Sequence, residues 1–519
     1  MSSESQRSPL TIVAIIGGMV AAMYVAASIL LGDGNQLAGL FFYVMAGCGV
    51  LGVAAPRLAF TVFILQAAYL DLLKRFMVMA GHVSYGDLFW VLGIAPVTVV
   101  GITTGLVLRM IFGQVKFDGA DVRRLVIAVL LNVVMAAFIF FKGGGITGTL
   151  REVANGASYS LLLFIVPLLF GSPESVAKFT RFIILAFLPV AAYGIYQQVY
   201  GFQEFEIEYL KTPGLTIEIK QLEANRVRAF STLNSPTSLS VVVCSVAMMA
   251  LSLALVGNRA RAKLMSLPVA GLIVLLMVAG WAASTVRVGI LLLPVAVTGM
   301  YVFRRSGATR LFYVTLISAF VGLVALSEYL FMHIENWTRR LMELAGGSAF
   351  AEYLLNMNSY KDRLYGFANV LANPAAYTWF GMGGEGERDT FFAGHDPLSN
   401  ALLSFGMVPV AIGLVLMFFA LRSFHRVVYR MNHPALQLFA SAFLANAAGN
   451  VAVSMVNGNL LGVFPVNVFF WICLGFAATL SRADNALVPP PAVKTVAEPA
   501  MARRRPPGRF APVPRHPAS

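Results

Sequence analysis

The chain has 519 residues, 58% of them hydrophobic and 12% charged, with a mean hydropathy of +0.76 and a formal net charge of +14. So apolar a composition is more than one soluble core can hide, which excludes an ordinary soluble enzyme or binding domain. The positive balance sits in short connections between apolar segments, Arg109 to Arg124, Arg259 to Lys263, Arg304 to Arg310 and Arg422 to Arg430, as cytoplasmic loops require, and so predicts no nucleic-acid partner.

The apolar segments recur from end to end, each about 17–25 residues and able to cross roughly 30 Å of hydrocarbon as a helix. They lack strand-length alternation, so helices rather than a barrel are expected. In chain order the predicted spans lie near 10–31, 36–54, 58–73, 86–108, 124–141, 157–174, 181–200, 235–256, 264–282, 286–303, 310–331, 397–421, 435–455 and 460–479. The first lacks a small-residue cleavage site and is followed by others, so a retained helix is predicted rather than a signal peptide. The third is the weakest, because it runs into Asp71, Lys74 and Arg75, leaving open a re-entrant segment. Cys48, Cys244 and Cys473 all fall inside apolar spans, so neither a disulfide framework nor a metal cluster is expected. An even number of crossings puts both termini in the cytoplasm. The expected fold is an all-α polytopic transmembrane bundle of about 12–14 spans. Its helices divide into an N-terminal set over 1–180 and a core over 181–480.

Two connections are much longer than the others, and the charge rule puts both outside. In the first, 201–234, acidic and apolar residues alternate from Glu204 to Tyr209, Pro213-Gly214 follows, and alternation resumes from Thr216 to Lys220, which predicts a small β-hairpin. The second and larger, 332–396, opens on an amphipathic segment with Ile334, Trp337, Leu341 and Met342 opposite Arg339 and Arg340, and is too aromatic to read as disordered. After residue 482 the chain becomes a Pro-rich basic tail, expected to be a disordered, solvated cytoplasmic anchor near anionic lipid heads.

Four residues draw attention at the outer boundary. His395, in Gly394-His395-Asp396-Pro397, precedes a span, which fixes an imidazole where lipid heads lie and where it can accept a proton near neutral pH; its plain alternative is a helix-capping histidine. Arg287 stands between two apolar spans with almost no loop, so it must face water, a partner or an anion, or snorkel to the interface. Arg228 ends the first long loop and Arg363 lies within the second. Either is a plain loop charge or part of a set of guanidinium forks that grips a diphosphate. The glycine-rich stretch 381–387 lacks the Gly-Lys-Ser/Thr ending of a nucleotide loop, so it reads as a backbone turn, and its Glu385 and Glu387 as solvated acids rather than metal ligands.

Four segments stand out together: Tyr193 to Gln198, Arg228 to Pro236, Ser284 to Gly289, and the stretch from Arg363 through Phe380-Gly381-Met382-Gly383 and His395 to Met407. In this order they resemble the O-antigen ligase and polysaccharide polymerase superfamily. The resemblance covers roughly 180–480. It implies a GT-C-like membrane fold and an active site outside the bacterial inner membrane, under the large loop, with Arg228 and Arg287 on the diphosphate and His395 as base. Arg363, beyond what the resemblance implies, is expected as a weaker third contact. Where the family usually has Ser-Arg-Gly this chain has Val286-Arg287-Val288, and where it has His-Asn this chain has His395-Asp396, so Asp396 either orients the imidazole or is itself the base. The implied partners are an undecaprenyl-diphosphate-linked glycan donor, a glycan acceptor and the bilayer, with other polysaccharide-assembly proteins as further candidates. No cofactor or metal is implied. The expected activity is an inverting polymerisation of lipid-linked repeats, with a ligase or a lipid-linked oligosaccharide flippase as the alternatives.

Overall fold

An apolar run in lipid must close its own backbone hydrogen bonds, and a helix does so within one segment. The computed structural model describes residues 36–79, 88–140, 145–211, 228–260, 264–344, 405–457 and 462–487, with isolated residues between 364 and 403. Its helices are α1 (Gln36–Ala54), α2 (Pro56–Met79), α3 (Leu88–Ile111), α4 (Gly119–Ile139), α5 (Gly145–Asn155), α6 (Leu162–Leu169), α7 (Pro173–Tyr200) and α8 (Glu204–Lys211). They continue as α9 (Pro236–Ala260), α10 (Leu267–Ala283), α11 (Leu292–Val302), α12 (Ser306–Ala325), α13 (Ser327–Leu344), α14 (Met407–Tyr429), α15 (Pro434–Asn457) and α16 (Val466–Leu487). Among the described residues nine helices are long and apolar enough to cross a membrane, and α5 with the helical stretch Ala157–Leu169 makes a tenth candidate, bent by 43°. Three shorter apolar helices, Leu40–Ala54, Leu267–Ala283 and Arg287–Val302, accompany them. The protein is a multi-pass, all-helical membrane bundle. The predicted span 10–31 and the tail beyond 487 lie outside the described residues.

The span read as weakest is an unbroken helix, α2, and the structure leaves no re-entrant segment there. The span expected at 157–174 is instead the bent pair. It stops at Leu169 because Ser172 and Ser175 exchange reciprocal capping bonds of 3.2 Å and Pro173 opens α7. That cap also starts α7 eight residues before the apolar run at 181, through Lys178 and Arg181, whose stems accompany the helix toward water.

α9 is the centre of the bundle. It packs on α7, α10, α11, α15 and α16, and its buried face includes Val241, Val242, Val246 and Leu253. α4, α12 and α14 form the rim, presenting residues such as Val126, Val133, Leu311, Val314, Leu416 and Phe419 outward. α1 and α3 pack backbone to backbone: a Cβ on Gly52 would stand 2.5 Å from Ile102 N, and one on Gly105 would stand 2.7 Å from Val53 Cα. This is the close approach that small residues allow where lipid supplies no hydrophobic drive.

The bundle end with the basic connections is tied by charge. Arg482 bonds to Asp121, to Asp118 at 3.3 Å and to Pro167 O at 3.3 Å, while Arg124 pairs with Asp121 at 2.9 Å. Asp484 accepts the N–H groups of Asn432 (2.8 Å) and His433 (2.9 Å), and Arg109 donates to Ala54 O at 2.6 Å. These bonds close helix ends that would otherwise leave backbone groups unmet.

Candidate functional site

At the opposite end, the ends of α2 and α7 meet the segment that leads into α9. Arg75, near the end of α2, is 1% exposed. Its guanidinium pairs with Glu206 at 3.1 Å, donates to Ser231 O at 2.6 Å and to Leu233 O, and lies 4.2 Å from the centre of the Phe230 ring. From α7, Gln197 Oε1 accepts the N–H groups of Phe230 (3.2 Å) and Ser231 (2.6 Å), while its Nε2 donates to Glu206 at 2.7 Å. Ser231 Oγ donates to Val190 O at 2.5 Å and Thr232 Oγ1 to Ala68 O at 2.6 Å. Gly194 makes the approach possible, since a Cβ there would meet Leu239 Cδ2 at 2.9 Å. All of this holds Ser231 at φ 57°, a left-handed conformation that costs a non-glycine residue about 1–3 kcal/mol.

A second turn docks on the same end of α9. After α10, Ser284 Oγ accepts from Val286 N at 3.2 Å, and Val286 O receives both Trp281 Nε1 and Ser240 Oγ at 2.9 Å. Within it Thr285 has φ 51°, a strained state for a β-branched residue. Ser231 and Thr285 are the two non-glycine residues with positive φ among those described. Ser240 is the fifth residue of α9, so both turns lie within about 6 Å of axial rise of its start. Just after the first turn, Asn234 Oδ1 is buried with no hydrogen-bond partner among the described residues.

Each strained turn adjoins a predicted arginine. Arg228 is exposed, three residues before Ser231, and Arg287 is half-buried, two residues after Thr285 and first in the short 3-10 turn Arg287–Leu291. Arg363, His395 and Asp396 lie outside the described residues, as does the glycine-rich stretch 381–387. The second long loop does open on a helix, α13, with Trp337, Arg339 and Arg340 exposed.

The expected β-hairpin is not formed over its first arm. Residues 204–211 are α8, and 212–227 lie outside the described residues. Burial decides the matter: Glu206 and Tyr209 turn inward while Glu204, Ile207 and Glu208 stay exposed, a helical period that follows from Glu206 pairing with Arg75. Phe205 stacks on Phe76 at 4.2 Å and fixes α8 over the end of α2.

Sequence reasoning missed Arg75, Gln197 and Glu206. Lys74 pairs with Asp71 at 3.0 Å beside them, so these four charges offset one another. Among the described residues no group of three or more His, Cys, Asp or Glu is placed to hold a metal. No protein-family model, curated protein or solved structure matches this chain.

Proposed function

We propose that the protein is a membrane glycosyltransferase that polymerises undecaprenyl-diphosphate-linked oligosaccharide repeats into exopolysaccharide or O-antigen on the outer face of the bacterial cytoplasmic membrane. The observation that carries the reading is the pairing of Arg228 and Arg287 with the two left-handed non-glycine turns, both docked on one end of α9. Strain of this kind persists where packing overdetermines it and clusters at ligand sites. The site lies at the end opposite the basic connections, which the charge rule puts in the cytoplasm. With 10–31 as a further span, both termini are cytoplasmic.

In the proposed reaction an acceptor hydroxyl oxygen bonds to the anomeric carbon as the bond from that carbon to the diphosphate oxygen breaks. The hydroxyl proton passes to His395, with Asp396 orienting it or serving as the base in its place. The electron pair leaves with undecaprenyl diphosphate, whose charge Arg228 and Arg287 offset, with Arg363 as a third contact. Direct attack inverts the anomeric configuration, and the activated leaving group needs neither nucleotide nor metal.

The test is purified full-length protein in nanodiscs with a synthetic diphosphate-linked oligosaccharide. A ladder of longer lipid-linked products is expected, and Arg228→Ala, Arg287→Ala and His395→Ala should each lower its rate by about 100-fold or more. Transfer to a different acceptor without a ladder would make the protein a ligase. An unaltered donor that only crosses the bilayer of proteoliposomes would make it a flippase and end the proposal.

A further inference from the structure

We propose that Arg75 is a positioning residue: it sets the 230–233 turn, and through it Arg228, and ties that turn to α8 so that the outer segment and the arginine turn hold one arrangement. The catalytic consequence rests on the function proposed above; the mechanical one does not.

A buried ion pair is weak grounds for stability, because apolar side chains of similar volume usually serve as well. What Arg75 supplies is geometry. One planar fork reaches Glu206 on α8 and two carbonyls of the turn, Ser231 O and Leu233 O, while its face covers Phe230. A lysine has a single point of charge and cannot span these acceptors. The ring of Phe230 stacks on Phe202 at 5.2 Å on the way into α8, and Arg228 stands only two residues upstream. Glu206 in turn takes Gln197 Nε2 at 2.7 Å, so both groups that hold the turn are oriented by one carboxylate. Take Arg75 away and the carbonyl of the left-handed Ser231 loses a donor that helps hold its strain.

The experiment compares wild type, Arg75→Lys and the apolar pair Arg75→Met/Glu206→Met, all full-length in nanodiscs, by hydrogen exchange of the segments 229–233 and 204–211. The apolar pair should remain monodisperse yet exchange both segments about tenfold faster or more. Arg75→Lys, which keeps the charge and the pair with Glu206, should fail to restore protection at 229–233. If the apolar pair does not accumulate, Arg75→Lys carries the same comparison. Unchanged exchange in the variants, or full protection in Arg75→Lys, would overturn the proposal. On the lipid-diphosphate donor, the losses in kcat/KM from Arg75→Lys and Arg228→Ala should be less than additive, since both remove one interaction; a merely structural role gives additive losses. If the wild type elongates no donor while exchange responds as expected, the proposed function falls and the positioning role stands.

Discussion

Gly289→Ala probes how closely the Arg287 turn sits on α9. A methyl group at Gly289 would overlap Ser240 Oγ and stand 2.7 Å from the Ser240 backbone C and O, against the 3.4 Å at which ordinary contact begins, a shortfall of about 0.7 Å. A hydroxyl can rotate away, but a helix backbone cannot. The turn must therefore withdraw, which strains the 2.9 Å bond from Ser240 Oγ to Val286 O and carries Arg287 with it. Overpacking of this kind costs about 1–3 kcal/mol, and the weakened buried hydrogen bond adds about 1 kcal/mol, so a loss of about 2–4 kcal/mol is expected. The assay is the thermal midpoint of the full-length protein in nanodiscs, read beside that of Ser240→Ala. Ser240→Ala alone should lose only the hydrogen bond. Combined with Gly289→Ala it should not restore the midpoint, because the backbone contact remains. An unaltered midpoint in Gly289→Ala, or its full recovery in the pair, would refute the close docking of this turn.

Three further outcomes are expected. Gly101→Val should separate α1 from α3, because a Cβ there overlaps Gly49 O and stands 2.9 Å from its C and Cα; a cysteine pair across the two helices that still cross-links at wild-type rate would contradict this. Asp121→Asn should destabilise the basic end by about 3 kcal/mol, since it leaves Arg482 and Arg124 facing a neutral group, whereas Asp121→Asn/Arg482→Met should recover part of it, both read as thermal midpoints. Partial burial of Asp118 opposes its ionisation, but the Asp121 N–H and the Arg482 guanidinium outweigh it and hold the carboxyl below the usual range. Its contribution is therefore present above about pH 4 and lost as the pH falls further, so Asp118→Asn should flatten the acid limb of midpoint against pH.

The membrane helices were legible because hydropathy alone selects them, while their ends were not, because ends are set by bonds between distant residues. α16 continues to Leu487 past the apolar run that ends near 479, since Arg482 and Asp484 are taken up by Asp121, Asn432 and His433. α7 starts early for a local reason that could have been read: Ser172-Pro173 followed by Ser175 is a capping signal. The break between α5 and α6 falls at the turn dipeptide Asn155-Gly156, where Asn132 Nδ2 reaches Ala157 O and Ser160 Oγ at 3.1 Å and Asn467 Nδ2 reaches Asn155 O at 3.0 Å from other helices.

The misread loop and the doubt over the third span have one cause. Charged residues at the end of the third span looked like a flaw in that span, and the acidic alternation at 204–209 looked like one arm of a β-hairpin. Neither segment accounts for its own charges. Arg75 and Glu206 are 131 residues apart, and only their pairing makes either conformation sensible. A buried guanidinium at the end of a span is tolerable once a carboxylate meets it, and an acid can face inward on a helix once a guanidinium awaits it. The segment from Glu204 to Tyr209 alternates on hydrophobicity as a strand would; the inward place of Glu206 is what selects the helix. In a chain this poor in charge, a basic pair ending one span and an acidic run in a nearby outer loop are better weighed as partners than as separate defects. Weighed so, the sequence alone would have brought the end of α2 to the loop that follows α7.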